Sequence, residues 1–189
     1  IINNASENSV INLTRNYTYN EFDTITDGVR ITRPITINGN GFTIDAKGKS
    51  RIFRVTAGAI NITNVTLKNG KADYGGAIYF VNAISNSNIN ATYINNTAEQ
   101  NGGANCFEGS VSGSNVSGTF INNTAELYGG ANFFISVLGS NVSGTYINNT
   151  AERDGGANYF WSSVSGSNVS GTYINNTAER DGGANYFWS

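Results

Sequence analysis

The sequence predicts an all-β chain wound as a parallel β-helix, with one short coil stacked on the next. Three observations carry the prediction. A Gly-Gly-Ala motif returns at Gly75, Gly102, Gly129, Gly155 and Gly182, evenly spaced except that the third interval is one position short. Such a period is the signature of one supersecondary unit copied along an axis. Between the motifs lie short alternating runs of Val, Ile, Thr, Tyr and Phe, broken by Gly, Asn and Ser, with no helical period. Asn fills 31 positions and Ser and Thr 18 each, residues that hydrogen-bond locally and favour turns over helices.

Taken from the N-terminus, residues 1–58 read as a cap and first irregular coils. They carry strand-like stretches at Val10 to Leu13, Val29 to Ile37, Phe42 to Asp45 and Ile52 to Val55, and turns at Asp27-Gly28, Asn38-Gly39 and Asn40-Gly41. A solenoid needs an atypical end to cover its bare core and unpaired edge. Residues 59–189 read as regular repeats of about 26–27 residues, within the range of solenoid units. The first strand of each contains Thr-Tyr-Ile. Aligned at constant spacing with Val65 and Leu67, the Thr and Ile face inward, so Leu67, Ile94, Ile121, Ile147 and Ile174 form an aliphatic stack and Tyr93, Phe120, Tyr146 and Tyr173 an outward aromatic column. The second strand follows the glycines. Its preferred phase buries Phe80, Phe107, Phe134, Phe160 and Phe187, with Asn105, Asn132, Asn158 and Asn185 as an internal ladder in line with Ile78; the opposite phase would bury Ala and Tyr. A third short strand carries Val111, Val137 and Val164. The shortened copy loses its residue between Phe134 and Gly139, which implies an exposed corner there.

Composition narrows the function. The net charge is −2, so no basic face recruits nucleic acid or anionic lipid. Cys106 is the sole cysteine and aligns with Tyr79, Phe133, Tyr159 and Tyr186, a stacking position; without histidine in the chain, nothing of that type activates a thiol. No apolar run reaches the ~18 residues that span a bilayer. The chain opens on Ile1 and stops at Ser189 within a repeat, which reads as a piece of a longer protein. The uncapped end suggests head-to-tail pairing into filaments.

Catalytic constellations are not evident. Glu99, Glu126, Glu152 and Glu179, joined by Asp154 and Asp181, form a repeated carboxylate ladder. Glycoside hydrolysis uses two carboxylates about 5–9.5 Å apart, but a site is singular where these are copies, and Arg153 and Arg180 are placed to neutralise them. The expectation is no enzyme; the alternative is a polysaccharide lyase or glycoside hydrolase. No cofactor is expected, although carboxylates and carbonyls at the glycine-rich turn offer a structural calcium a set of oxygens.

Thirteen Asn-x-Ser/Thr sequons occur, more than composition gives by chance. Three are at Asn4, Asn12 and Asn16, and the repeat region holds Asn61, Asn64, Asn90, Asn95, Asn115, Asn122, Asn141, Asn148, Asn168 and Asn175 as glycosylation candidates. Tyr93, Phe120, Tyr146 and Tyr173, with Trp161 and Trp188 near a corner, are candidates for stacking on sugars or on a partner.

The segments I-T-I-N-G-N-G-F-T-I-D-A (35–46), N-I-T-N-V-T-L-K-N-G (61–70) and D-Y-G-G-A-I-Y-F (73–80) resemble the adhesin-like proteins of methanogenic archaea. The Gly-Gly-Ala-Ile with downstream Asn-Asn is also similar to the repeat of chlamydial polymorphic outer-membrane proteins. The resemblance implies a right-handed, pectate-lyase-like parallel β-helix in an extracellular or cell-surface protein, without a membrane span of its own. Such a protein attaches to another cell or to glycans, or pairs with further copies of itself. The later copies depart from the pattern with Gly-Gly-Ala-Asn and are unusually uniform.

Overall fold

The computed structural model describes residues 2 and 5–188. The sequon at Asn4 and the two terminal residues therefore lie outside the described residues. Within them no α-helix occurs, and the strands form three sheets of 11, 9 and 5 strands in which every pairing is parallel. The chain is a β-solenoid of about seven turns.

The first sheet runs through Val10–Asn12, Thr36–Asn38, Asn61–Lys68, Asn88–Ile94, Asn115–Ile121, Asn141–Val142 and Asn168–Val169. The second runs through Val29–Ile31, Phe53–Val55, Ile78–Phe80, Asn105–Ser112, Asn132–Leu138, Asn158–Phe160 and Asn185–Phe187. The third stacks Lys71–Ala72, Thr97–Ala98, Thr124–Ala125, Thr150–Ala151 and Thr177–Ala178. Strands from the segment 1–58 join the first two sheets: Thr36–Asn38 pairs with Asn61–Lys68, and Phe53–Val55 with Ile78–Phe80. They continue the same solenoid, and no cap of different architecture stands among the described residues.

Each parallel pairing lifts the chain by one strand spacing, about 4.8 Å, so like residues lie over like. Ile37, Ile62, Ile89, Val116 and Val142 make one buried file. The second strand adopts the preferred phase: Phe80, Phe107, Phe134 and Phe160 are buried, and their rings stack with centroids 4.3, 4.7 and 5.1 Å apart. Each ring removes on the order of 2–3 kcal/mol worth of apolar surface from water, and stacking adds about 0.5–1.5 kcal/mol. Val137 pairs with both Val111 and Val164, as the third strand requires.

The first strand has the opposite phase to the one expected. Leu67 pairs with Tyr93, and the file continues through Phe120, Tyr146 and Tyr173. Tyr93, Phe120 and Tyr146 have no exposed surface, while Ile94, Ile121 and Ile147 face outward, half-buried. The cause is a β-bulge. Asn64 and Val65 together oppose Ala91, so the offset between partners is one position shorter at Thr66–Thr92 than at Thr63–Asn90. A constant offset places Leu67 against Ile94; the bulge places it against Tyr93.

The shortened copy also differs from expectation. Its lost residue falls between Phe134 and Ser136, where the register shifts, but the strand Asn132–Leu138 runs through it half-buried. The diglycine makes one tight corner of each coil. Gly102 has φ +70°, and a Cβ on Gly103 would sit 2.1 Å from the carbonyl oxygen of Gly130 in the next coil. Neighbouring coils meet backbone to backbone there, which leaves no room for a side chain.

Candidate functional site

The Asn-Asn-Thr corner that follows the first strand is the most regular outward feature. Asn95, Asn122, Asn148 and Asn175 take left-handed backbones with φ of 54°, 54°, 53° and 51°, a conformation Asn tolerates better than other side chains. All four are exposed. The residue after each turns inward and ties the corner down. Asn96, Asn123 and Asn149 are fully buried. Each donates its side-chain amide to Oδ1 of the next Asn at 2.9 Å, and that Oδ1 also receives its backbone N–H at 3.0 Å. The second amide hydrogen of Asn123 goes to the carbonyl of Tyr93. These ladders satisfy polar groups that burial would otherwise leave costly.

The first half of the same sheet carries an outward ladder. Asn115 donates to Asn88 at 2.9 Å, Asn141 to Asn115 at 2.7 Å and Asn168 to Asn141 at 2.8 Å. Asn61 reaches Thr36 at 3.3 Å. The ten sequon asparagines of the repeat region thus fall into two groups. Asn61, Asn115, Asn141 and Asn168 have carboxamides engaged in hydrogen bonds, the first three half-buried and Asn168 exposed, whereas Asn64, Asn90, Asn95, Asn122, Asn148 and Asn175 are exposed and outside that ladder. Asn64 and Asn90 border a shallow groove of about 300 Å³ with Thr63, Thr66, Thr92 and Gly118.

The aromatic candidates divide as well. Tyr93, Phe120 and Tyr146 belong to the core, and Tyr173 continues their stack half-buried, with successive centroids 4.6–4.9 Å apart. None stands in an outward column, for the register reason given above. Burial holds the Tyr93 and Tyr146 hydroxyls far above the ordinary tyrosine range. Trp161 and Trp188 are exposed at 38% and 48%, with centroids 4.7 Å apart. They border a second apolar cluster on the outer face of the second sheet, built on the stacking position of Cys106, Tyr79, Phe133, Tyr159 and Tyr186; that Cys106, Phe133 and Tyr159 are buried there, packed with Tyr74, Tyr79, Tyr128, Ile135 and Tyr186, is what sequence reading missed. The signal was the alternation itself, since Tyr159 and Trp161, the residue just past the strand Asn158–Phe160, are two positions apart and their rings lie 6.1 Å apart. Burial and the nearby Glu108 push the Cys106 thiol well up, away from the reactive thiolate.

The carboxylates do not form the expected arginine-paired ladder. Glu99 pairs with Lys71 at 3.5 Å, and the Arg153 guanidinium lies 5.0 Å from the Tyr128 ring centroid. Among the described residues neither Arg153 nor Arg180 makes an ion pair with Glu or Asp. Asp154 is buried and accepts the Asp181 backbone N–H at 3.2 Å. No cluster of three or more His, Cys, Asp or Glu suited to a metal ion occurs among the described residues. Two charge clusters were not anticipated. Asp27 sits among Arg51, Arg54 and Arg30 at 2.9, 3.2 and 3.9 Å. Asp45, nearly buried, faces Lys68 and Lys47 at 3.4 and 3.5 Å. Pairing of Arg30 with Arg54 in adjacent coils is the signal for the first, since stacked like charges require a counter-ion.

No helix among the described residues is long and apolar enough to cross a membrane. No protein-family model matches the chain, nor does any curated protein or solved structure.

Proposed function

We propose that the protein is an extracellular, cell-surface solenoid whose work is structural and adhesive. The observation that carries this reading is the register: the later coils present like side chains at the same place, so much of the outer surface is a set of repeated columns. Thr66, Thr92, Thr119, Thr145 and Thr172 make one such file, and the Asn95 to Asn175 corner another. A stiff rod carrying equivalent weak contacts gains avidity from number, without a single tight pocket. The carboxylates also repeat coil by coil, which supports display better than catalysis by one constellation. The partner would be a second cell surface, its glycans or further copies of the chain.

The test uses antibodies raised against the folded coils. They should label intact cells of the producing organism and reduce attachment of those cells to one another or to a host surface. Labelling that requires permeabilised cells would overturn the surface assignment. Labelling of intact cells with unaltered attachment would overturn the adhesive role.

A further inference from the structure

We propose that Asn95, Asn122, Asn148 and Asn175, together with Asn64 and Asn90, are acceptors for N-linked glycans, and that Asn61, Asn115, Asn141 and Asn168 stay bare although they share the same sequon. The proposal rests on the extracytoplasmic reading above.

Sequence makes the ten sites equivalent; the fold does not. Modification begins at the carboxamide nitrogen. Nδ2 attacks the anomeric carbon of a lipid-pyrophosphate-linked sugar, the C–O bond to phosphate breaks, Nδ2 gives up one proton and the lipid pyrophosphate leaves. Nδ2 must therefore be reachable, and the sequon hydroxyl two residues on must be free for recognition. In the Asn-Val-Ser sites both groups are already engaged with each other and with the next coil, even at Asn168, whose side chain is exposed. Asn115 Nδ2 donates to Asn88 and also to Ser117 Oγ, each at 2.9 Å. Asn141 spends its amide on Asn115 at 2.7 Å and on Ser143 Oγ at 2.9 Å. Asn168 donates to Asn141 and to Ser170 Oγ at 2.8 and 3.3 Å. Both amide hydrogens are used, and the sequon's own hydroxyl accepts one of them. Asn61 is half-buried and donates to Thr36.

The Asn-Asn-Thr sites are the reverse. Their left-handed backbone turns the first Asn out at the corner, while the second Asn, buried and bonded, holds the corner still. Asn64 reaches the surface because it sits in the bulge with φ +53°, and Asn90 is exposed at the groove edge beside it. At one acceptor per coil, about 4.8 Å apart, the corner column becomes a ridge of sugar along the rod. That ridge borders the half-buried Ile94, Ile121 and Ile147 file and would cover its apolar surface.

The test is site-by-site glycopeptide mapping of the native protein from its producing cells. Glycan is expected at the corner column, Asn64 and Asn90, with none at Asn61, Asn115, Asn141 and Asn168. Asn148→Asp should remove one glycan and leave the melting temperature of the enzymatically deglycosylated protein unchanged. Asn141→Asp should leave the glycan count unchanged and lower that melting temperature. Equal or greater occupancy in the Asn-Val-Ser column would overturn the proposal. So would bare polypeptide recovered from cells whose surface the antibodies label; absence of surface labelling would instead defeat the extracytoplasmic reading on which it rests.

Discussion

Asn123 donates its side-chain amide to Asn149 Oδ1, one coil away, at 2.9 Å, and its backbone N–H to the same oxygen at 3.0 Å. Its own Oδ1 receives the corresponding pair from Asn96. A carboxamide of this length is both donor and acceptor in one plane, so it alone extends the ladder. Asn122, its neighbour, is exposed and serves by adopting φ +54°. Two adjacent asparagines therefore have unrelated reasons to be asparagine. Asn123→Ala should lose about 2–4 kcal/mol, because buried partners orphaned by truncation cost about 1–3 kcal/mol each. Asn122→Gly should be neutral or nearly so, since glycine takes the left-handed region freely. Urea unfolding of both variants checks the contrast; equal losses would contradict it.

The corrected phase of the first strand gives a second pair. Tyr146 is fully buried, stacked between Phe120 and Tyr173 at 4.7 and 4.9 Å. Tyr146→Ala should cost about 3–5 kcal/mol through lost burial and the cavity left behind. Ile147 faces outward, and Ile147→Asp should cost about 1 kcal/mol or less. Thermal melting decides: an Ile147 variant less stable than the Tyr146 variant would restore the phase that constant spacing implies.

Coil length, strand order and the inward Phe and Asn files were legible because they follow from a period and from alternation. The bulge was not. Asn64 and Val65 differ from Ala91 by one inserted residue, and the copy recovers its length before Gly75, so the spacing between diglycines hides the shift. One residue reverses which face a strand buries. The split among the sequons was likewise hidden, because Asn115 and Asn148 differ in backbone angle and ladder pairing rather than in motif. The second apolar cluster around Tyr159 was legible as alternation, but its burial depends on Tyr74 and Tyr128, which approach from the preceding turn.

Stability should fall at both ends of the pH scale for identifiable reasons. Burial pushes the Asp45 carboxyl up, but hydrogen bonds from Asn69 and the Lys47 backbone, with the charges of Lys68 and Lys47, outweigh it and leave it below its ordinary 3.8. A carboxyl depressed in the folded state stabilises above its unfolded value, and that contribution is lost as pH falls through the lower folded value. Asp45→Asn should flatten this acid limb. On the basic side, burial, with Asp23 adding, pushes Tyr19 up from 10.0 to about 12. Its contribution is present below 10 and lost as pH rises from there to about 12. Tyr19→Phe should shrink that loss. Melting temperature measured against pH tests both; profiles parallel to the parent's would rule out these two groups as the cause.

Glu126 and Glu152 follow the paired alanines Ala125 and Ala151, so they stand in adjacent coils, exposed, with like charge over like. Glu99 differs in having Lys71 at 3.5 Å. Like charges directly opposite across a strand pair destabilise by about 0.2–1 kcal/mol. Glu126→Gln should therefore raise stability by a similar amount at low salt. The gain should vanish near 1 M salt, where the screening length shrinks to about 3 Å. Glu99→Gln, by contrast, should lose at most about 1 kcal/mol, as exposed ion pairs do. The sign of the Glu126 effect also discriminates between repulsion and cation bridging. If the column held calcium between its oxygens, Glu126→Gln would destabilise, and a chelator would lower the melting temperature of the parent protein while leaving that of the variant unchanged. Repulsion predicts a stabilised variant and no response to chelator in either protein.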